Sequence, residues 1–173
     1  MDSSYRIPKG WFVTGDAPEK YAIGLDPDTE YKDSPCVTIQ SSTEPTEFAA
    51  LAQMIKADAY HNKRVQFSAV VRTVDVENRA ALFMRVSGSN GKMLAFDNMR
   101  NRAINGTTDW THHAIVLDVE EEAETILFGV LLSMAGQVWM ANVHLEVVDQ
   151  EVPSTNLLED IIQFFPVNLG FDE

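Results

Sequence analysis

Between residues 65 and 149, apolar and polar residues alternate in short runs separated by turn-forming residues, the period-two signature of half-buried β-strands. From 64 to 72, Val65, Phe67, Ala69 and Val71 share one face, while Arg64, Gln66, Ser68 and Arg72 share the other; Val70 is the one apolar residue on the polar side. The same alternation predicts strands at 80–86, 92–96, 112–119, 125–132 and 137–148. Glu77-Asn78-Arg79, Ser89-Asn90-Gly91 and Ala135-Gly136 have the composition of hairpin joins. In the last strand Val143, Leu145 and Val147 alternate with Asn142, His144 and Glu146. Trp139 shares the parity of Val143 and Leu145, which assigns it, with Trp11, to the core.

The front third is less regular, with strands predicted at 11–13, 21–25 and 37–41 and a polar surface loop over 26–35. The alanines of 48–55, with Leu51, Met54 and Ile55, suit a helix in isolation; the surrounding all-β pattern predicts a strand, followed by a single helical turn over 56–60. After the strands, Asn156 with Glu159 three residues later resembles a capping box, and Leu157, Leu158, Ile161, Ile162 and Phe165 trace the apolar stripe of a short helix that Pro166 stops. The fold class expected is therefore all-β: a two-sheet jelly-roll β-sandwich over 1–153, with a short C-terminal helix and tail over 154–173 that belong to it or dock on it.

Length and charge narrow the function. At 173 residues the chain fits one domain, and no run of about 18 apolar residues exists to span a bilayer. A formal net charge of −13, with the basic residues scattered, argues against direct nucleic-acid binding. The opening residues carry neither a basic nor an apolar leader segment, and Cys36 has no cysteine partner within the chain, so a cytoplasmic protein is expected. Asn105-Gly106-Thr107 is formally a glycosylation acceptor, but without an export signal it is read as a tight turn.

The chain lacks a G-x-S-x-G elbow, an H-E-x-x-H pair, a Cys-x-x-Cys pair, a phosphate-cradling glycine loop and a dinucleotide fingerprint. A non-catalytic protein without cofactor or metal is expected. His112 and His113, adjacent on one strand, point to opposite faces and cannot chelate one ion together. Cys36 suits a small buried hydrophobe, and Glu120-Glu121-Glu122 a solvated turn. Candidate binding chemistry gathers in a long connection over 96–110, where Asp97 and Asn98 offer groups for sugar hydroxyls, Arg102 a fork for carboxylates, and Trp110 a flat apolar platform. Gln53 and Arg85, with Arg72, His112 and Trp139, add to this ligand site where their strands line one concave face. The structural alternative has Asp97 capping the loop, Arg102 pairing with it, and Trp110 anchoring it to the core.

The run Asp109-Trp110-Thr111-His112-His113-Ala114-Ile115-Val116-Leu117-Asp118-Val119, with 125–132 and 136–145, resembles the final strands of galactose-binding-like, carbohydrate-binding jelly rolls. With Gly10-Trp11-Phe12, Gly15 and Tyr21-Ala22-Ile23-Gly24-Leu25-Asp26, the chain also resembles a group of bacterial jelly-roll proteins, some labelled AraC-type transcriptional regulators, although it has no helix-turn-helix of its own. The resemblance covers roughly 10–149 and implies a fold more than an activity. Many such modules hold calcium through acidic residues following the Trp of the last strand; Met140 and Ala141 stand there, which argues against that ion. Residues 166–173 resemble an opening strand of such domains, implying an added edge strand in this domain or a neighbour's. The function expected is a non-catalytic module for a small polar or carbohydrate-like ligand. The alternative is a protein-interaction or transcription-regulatory accessory module, with a partner or second copy docked through the C-terminal helix and tail.

Overall fold

A computed structural model describes residues 5–42, 47–158, 166 and 168–171. The chain is all-β, with nine strands: β1 (Phe12–Gly15), β2 (Tyr21–Tyr31), β3 (Ser34–Ser41), β4 (Phe48–Lys56), β5 (Lys63–Ser87), β6 (Met93–Asp97), β7 (Ile104–Val119), β8 (Thr125–Ser133) and β9 (Gln137–Val148). They form one antiparallel sheet in the order β1-β4-β8-β5-β9-β3-β2, with β6 and β7 both bonded to β5. The sheet is bent across a corner, and β5 runs through the bend. Its first half pairs with β9 and β7, its second with β8 and β6. One layer is therefore β2-β3-β9-β5-β7 and the facing layer β1-β4-β8-β5-β6, as the expected jelly-roll sandwich requires.

This corner replaces the hairpin expected at Glu77-Asn78-Arg79. Register shifts between Val71 and Thr73, Thr73 and Val76, and Val76 and Ala80 turn the strand without ending it, and Asp75 takes a positive φ of 51°. Bulges of this kind are how strands pass from one sheet to another. The β8–β9 turn crosses the same corner: Glu77 N–H donates to Ala135 O at 2.9 Å. Gly136, at φ 133°, lies so close that a Cβ would come 2.7 Å from Val76 Cα, so only glycine fits.

Residues 48–55 are strand, as predicted, because Ala49 and Leu51 alternate into the core against β8. The predicted helical turn is a 3-10 turn at Asp58–Tyr60. The loop expected over 26–35 is instead an extended hairpin, turned by Lys32 and Asp33 at φ 45° and 67°, with residues 27–29 bulged out. The long connection expected over 96–110 shrinks to 98–103, since β7 starts at Ile104; Asn105-Gly106-Thr107 lies within that strand, at a bulge where Gly106 has φ 71°.

Between the layers lies a core built from the predicted face of β5 (Val65, Phe67, Ala69, Val71), joined by Leu82, Met84, Ile115, Leu117, Ile126, Phe128 and Met140. Phe67 and Phe128 meet at 5.2 Å between ring centroids, and Trp11 caps Phe128 edge-on at 5.8 Å. The buried Phe67 and Phe128 rings each contribute about 1.5–3 kcal/mol relative to exposure.

The expected C-terminal helix is absent from the described residues. Leu157 and Leu158 form a turn, and 159–165 lie outside the described residues. Asn156 Oδ1 accepts from Leu158 N–H and Phe96 N–H. Leu157 N–H donates to Phe96 O, and Thr155 N–H to Val116 O, so 155–157 strap β6 to β7 and thereby tie the two layers at one edge. Of the expected edge strand over 166–173, the described residues Asn168 and Phe171 close a turn instead.

Candidate functional site

Strand alternation gives the β1-β4-β8-β5-β6 layer an outward face whose members follow from the pairing register. Ala50, Leu131 and Ala81 lie in one row, Ala52, Gly129 and Phe83 in the next, and Phe48, Ser133 and Arg79 along the corner. The small residues at the centre of these rows are buried, Ala52 and Ala81 at 0% exposure and Ala50 at 2%. Gly129 cannot carry a side chain at all, because a Cβ would sit 2.1 Å from Leu51 O. Beside them Phe48, Phe83, Phe96, Leu127 and Leu131, with Ala50, line a groove of ≈ 440 Å³ whose polar lining is Thr14, Asp16, Arg79, Asn98 and Ser133. Apolar walls with a few placed polar groups are the usual composition of a small-ligand site.

The six residues proposed from the sequence do not converge on this groove. Asn98 lines it. Arg85 shares its face, paired across from Leu127 and Phe96, but its guanidinium donates to Ser87 Oγ and Gly91 O. Gln53 has the opposite parity to Ala52 and Met54 and faces the Gly10 segment. Asp97 also has the opposite parity to Phe96 and is 0% exposed. Arg102 grips it bidentately, Nη2 to Oδ2 at 2.6 Å and Nη1 to Oδ1 at 3.1 Å. Met99 N–H adds a 2.8 Å bond to Asp97 Oδ1. The pair thus fixes the 98–103 connection and, through it, Asn98 at the groove.

Trp110 lies on the other layer, in a second apolar cluster on its outer face with Cys36, Val70, Trp139, Ala141, Tyr31 and Val74. The β2–β3 hairpin folds over that face from the β2 edge until Tyr31 reaches Trp110 on β7, 5.2 Å away. Trp139 Nε1–H donates to Asp26 Oδ2 at 2.8 Å, and Arg72 stands over the Trp139 ring at 4.9 Å. Burial works to raise the Asp26 carboxyl, but hydrogen bonds from Trp139, the Asp28 backbone and Thr29 outweigh it and hold the group below its ordinary value. Trp139 is buried as the sequence implied, yet on the face opposite the main core. A bulge in β9 between Ala141 and His144, opposite Ser68 to Val70 of β5 and containing Asn142 at φ 54°, shifts the parity of β9.

His112 and His113, opposite Val70 and Ala69, do point to opposite faces. The half-buried His113 ring is held below its ordinary value, first by burial and then by the nearby His112 and Arg102 charges. Cys36 is buried beneath the hairpin, donates to Thr29 O at 3.0 Å, and has its thiol pushed up to about 11, by burial first and then by the Asp26 carboxylate. It should resist iodoacetamide at pH 8 in the native protein. Tyr31→Ala, by removing about 1 kcal/mol of ring packing, should raise its alkylation rate roughly fivefold to tenfold, read as adduct mass against time. Equal rates in the two proteins would show that Tyr31 does not hold the hairpin down.

The groove residues escaped sequence reasoning because β4 and β8 are apolar on both faces, so periodicity cannot say which face is covered. The available signal was the run of small residues, Ala50, Ala52, Ala81 and Gly129, at the parity of Phe48 and Phe83.

No family model matches the chain. Over 168 residues it is 44% identical to the protein named "Uncharacterized HTH-type transcriptional regulator YbfP" of Bacillus subtilis (strain 168), a match covering 95% of this chain and 57% of that protein. The chain thus spans little more than half the length of that relative. Among solved structures, the CBM22-1 xylan-binding domain of Paenibacillus barcinonensis Xyn10C superposes with a TM-score of 0.59 at 16% identity, covering 85% of this chain and 91% of that one. The enzymatically active domain of Bacteriophage CBA120 tailspike protein 4 superposes at 0.62 and 15% identity, over 81% of this chain and 20% of that one. Identities this low speak to fold alone. The chain is similar in fold to carbohydrate-binding jelly-roll modules, and similar in sequence to part of a protein named as an HTH-type transcriptional regulator.

Proposed function

We propose that this chain is a non-catalytic recognition module whose β1-β4-β8-β5-β6 groove takes a small polar or carbohydrate-like ligand. One observation carries this: the rings of Phe48, Phe83 and Phe96 line one groove together with Asn98, Thr14, Ser133, Asp16 and Arg79. Rings offer flat apolar faces to the C–H side of a pyranose, and the polar groups meet its hydroxyls. The fold's likeness to a xylan-binding domain supports the same class of ligand. Of the residues singled out in the sequence, Asn98 would contact the ligand and Arg85 would border it, while Asp97 and Arg102 would act by holding the 98–103 connection.

The likeness to YbfP supports a second, compatible role, in which the module serves a transcriptional regulator. No α-helix occurs among the described residues, so DNA contact would have to come from elsewhere.

A thermal-shift screen against neutral and acidic oligosaccharides tests the first reading. A ligand present at about 100 times its Kd stabilises the native state by about 2.7 kcal/mol, which for a domain of this size corresponds to a rise of roughly 5–10 °C in Tm. No shift with any saccharide would overturn ligand recognition and leave the accessory regulatory role.

A further inference from the structure

Resting on that reading of the groove, we infer that its ligand is an acidic saccharide, bound through a carboxylate by Arg79. Four other arginines are engaged within the protein. Arg64 pairs with Asp118, Arg72 lies over Trp139, Arg85 is tied to Ser87 and Gly91, and Arg102 is clamped to Asp97. Arg79 differs. It lines the groove half-buried, and among the described residues its guanidinium has neither a hydrogen-bond acceptor nor an ion-pair partner.

Position adds to this. Arg79 is directly across from Ser133, which is across from Phe48, so a cationic fork, a hydroxyl and a ring stand side by side at one end of the groove. A planar fork of N–H donors matches a carboxylate bidentately, and the serine hydroxyl and the ring suit the sugar that bears it. The other charged group of the lining, Asp16, is exposed beside β1, and forms no ion pair with Arg79. Asp16 accepts from hydroxyls and repels anions. With a net charge of −13 on the chain, it penalises a phosphate dianion more than a singly charged carboxylate, which favours a uronic acid over a sugar phosphate.

Calorimetric titration with a tetrasaccharide bearing a single terminal glucuronate, and with the same tetrasaccharide after reduction of that carboxyl, tests this. The acidic form should bind at least about tenfold more tightly, the range expected for hydrogen bonds to a charged group. Arg79→Gln should abolish that preference. Because the Arg79 guanidinium has no partner among the described residues, the variant should keep the parent Tm to within about 2 °C. Equal affinity of the two forms, or a preference that survives in Arg79→Gln, overturns the acidic-ligand inference and leaves the saccharide reading standing. Tighter binding of glucose 6-phosphate than of glucuronate also overturns it. Failure of both the acidic and neutral forms to bind overturns the inference, and the broader screen then decides the saccharide reading separately.

Discussion

Replacing Arg102 by alanine should lower the unfolding free energy by about 3 kcal/mol, one of the largest losses available to a single side chain in this protein. Asp97 is wholly buried, and Arg102 supplies two of the three donors that satisfy it. Without the guanidinium, the carboxylate retains the Met99 N–H and little else. Ala114 O, which accepts from Arg102 Nη2 at 3.0 Å, loses that donor as well. Breaking a buried pair from one side costs about 3–5 kcal/mol; the lower figure applies because the Arg102 side chain is 33% exposed, so water can enter where it stood. Urea unfolding with linear extrapolation would measure the loss, and Tm should fall by roughly 6–12 °C. Adding Asp97→Asn to the Arg102→Ala protein should recover part of it, since a neutral amide is cheaper to leave buried than an unpaired charge. A loss under about 1 kcal/mol would mean that the carboxylate reaches water by a small movement of the 98–103 connection.

That pair also shows where sequence stops being decisive. Asp97 and Arg102, five residues apart in a polar stretch, are equally suited to holding a ligand and to holding each other. What separates the two is parity: Asp97 faces inward opposite Met84 while its neighbour Phe96 faces the groove opposite Arg85. Parity was readable over 64–72, where polar and apolar residues separate cleanly and the inward set Val65, Phe67, Ala69 and Val71 is fully buried. It was not readable where a bulge intervenes. Trp139 and Val143 look alike from spacing, yet the irregularity at Asn142 sends them to opposite faces. Nor was it readable at 77–79, where turn-forming residues bend a strand through a corner instead of ending it; local composition is shared by both outcomes, and only the continuous partners of β5 decide. The all-β class survives these errors because it depends on the number and spacing of the strands. Where each candidate side chain lies depends instead on which face each strand presents.

The face question also sets the last experiment. Phe96→Ala should weaken saccharide binding by about 2 kcal/mol, roughly thirtyfold, if the groove holds the ligand, because an aromatic anchor supplies most of such a contact. The ring is half-buried at the groove wall, and its backbone is fixed independently of the side chain by Asn156 and Leu157. The substitution should therefore remove a binding surface while leaving β6 in place. Trp110→Ala is the matching test on the other layer, where Trp110 packs under the β2–β3 hairpin against Tyr31. It should leave affinity within about twofold, since nothing joins that cluster to the groove except the core between the layers. The reverse result, binding lost in Trp110→Ala and kept in Phe96→Ala, would place the ligand on the hairpin-covered face. The hairpin would then have to lift before a sugar could stack on Trp110, and faster alkylation of Cys36 in the presence of the saccharide would report that opening.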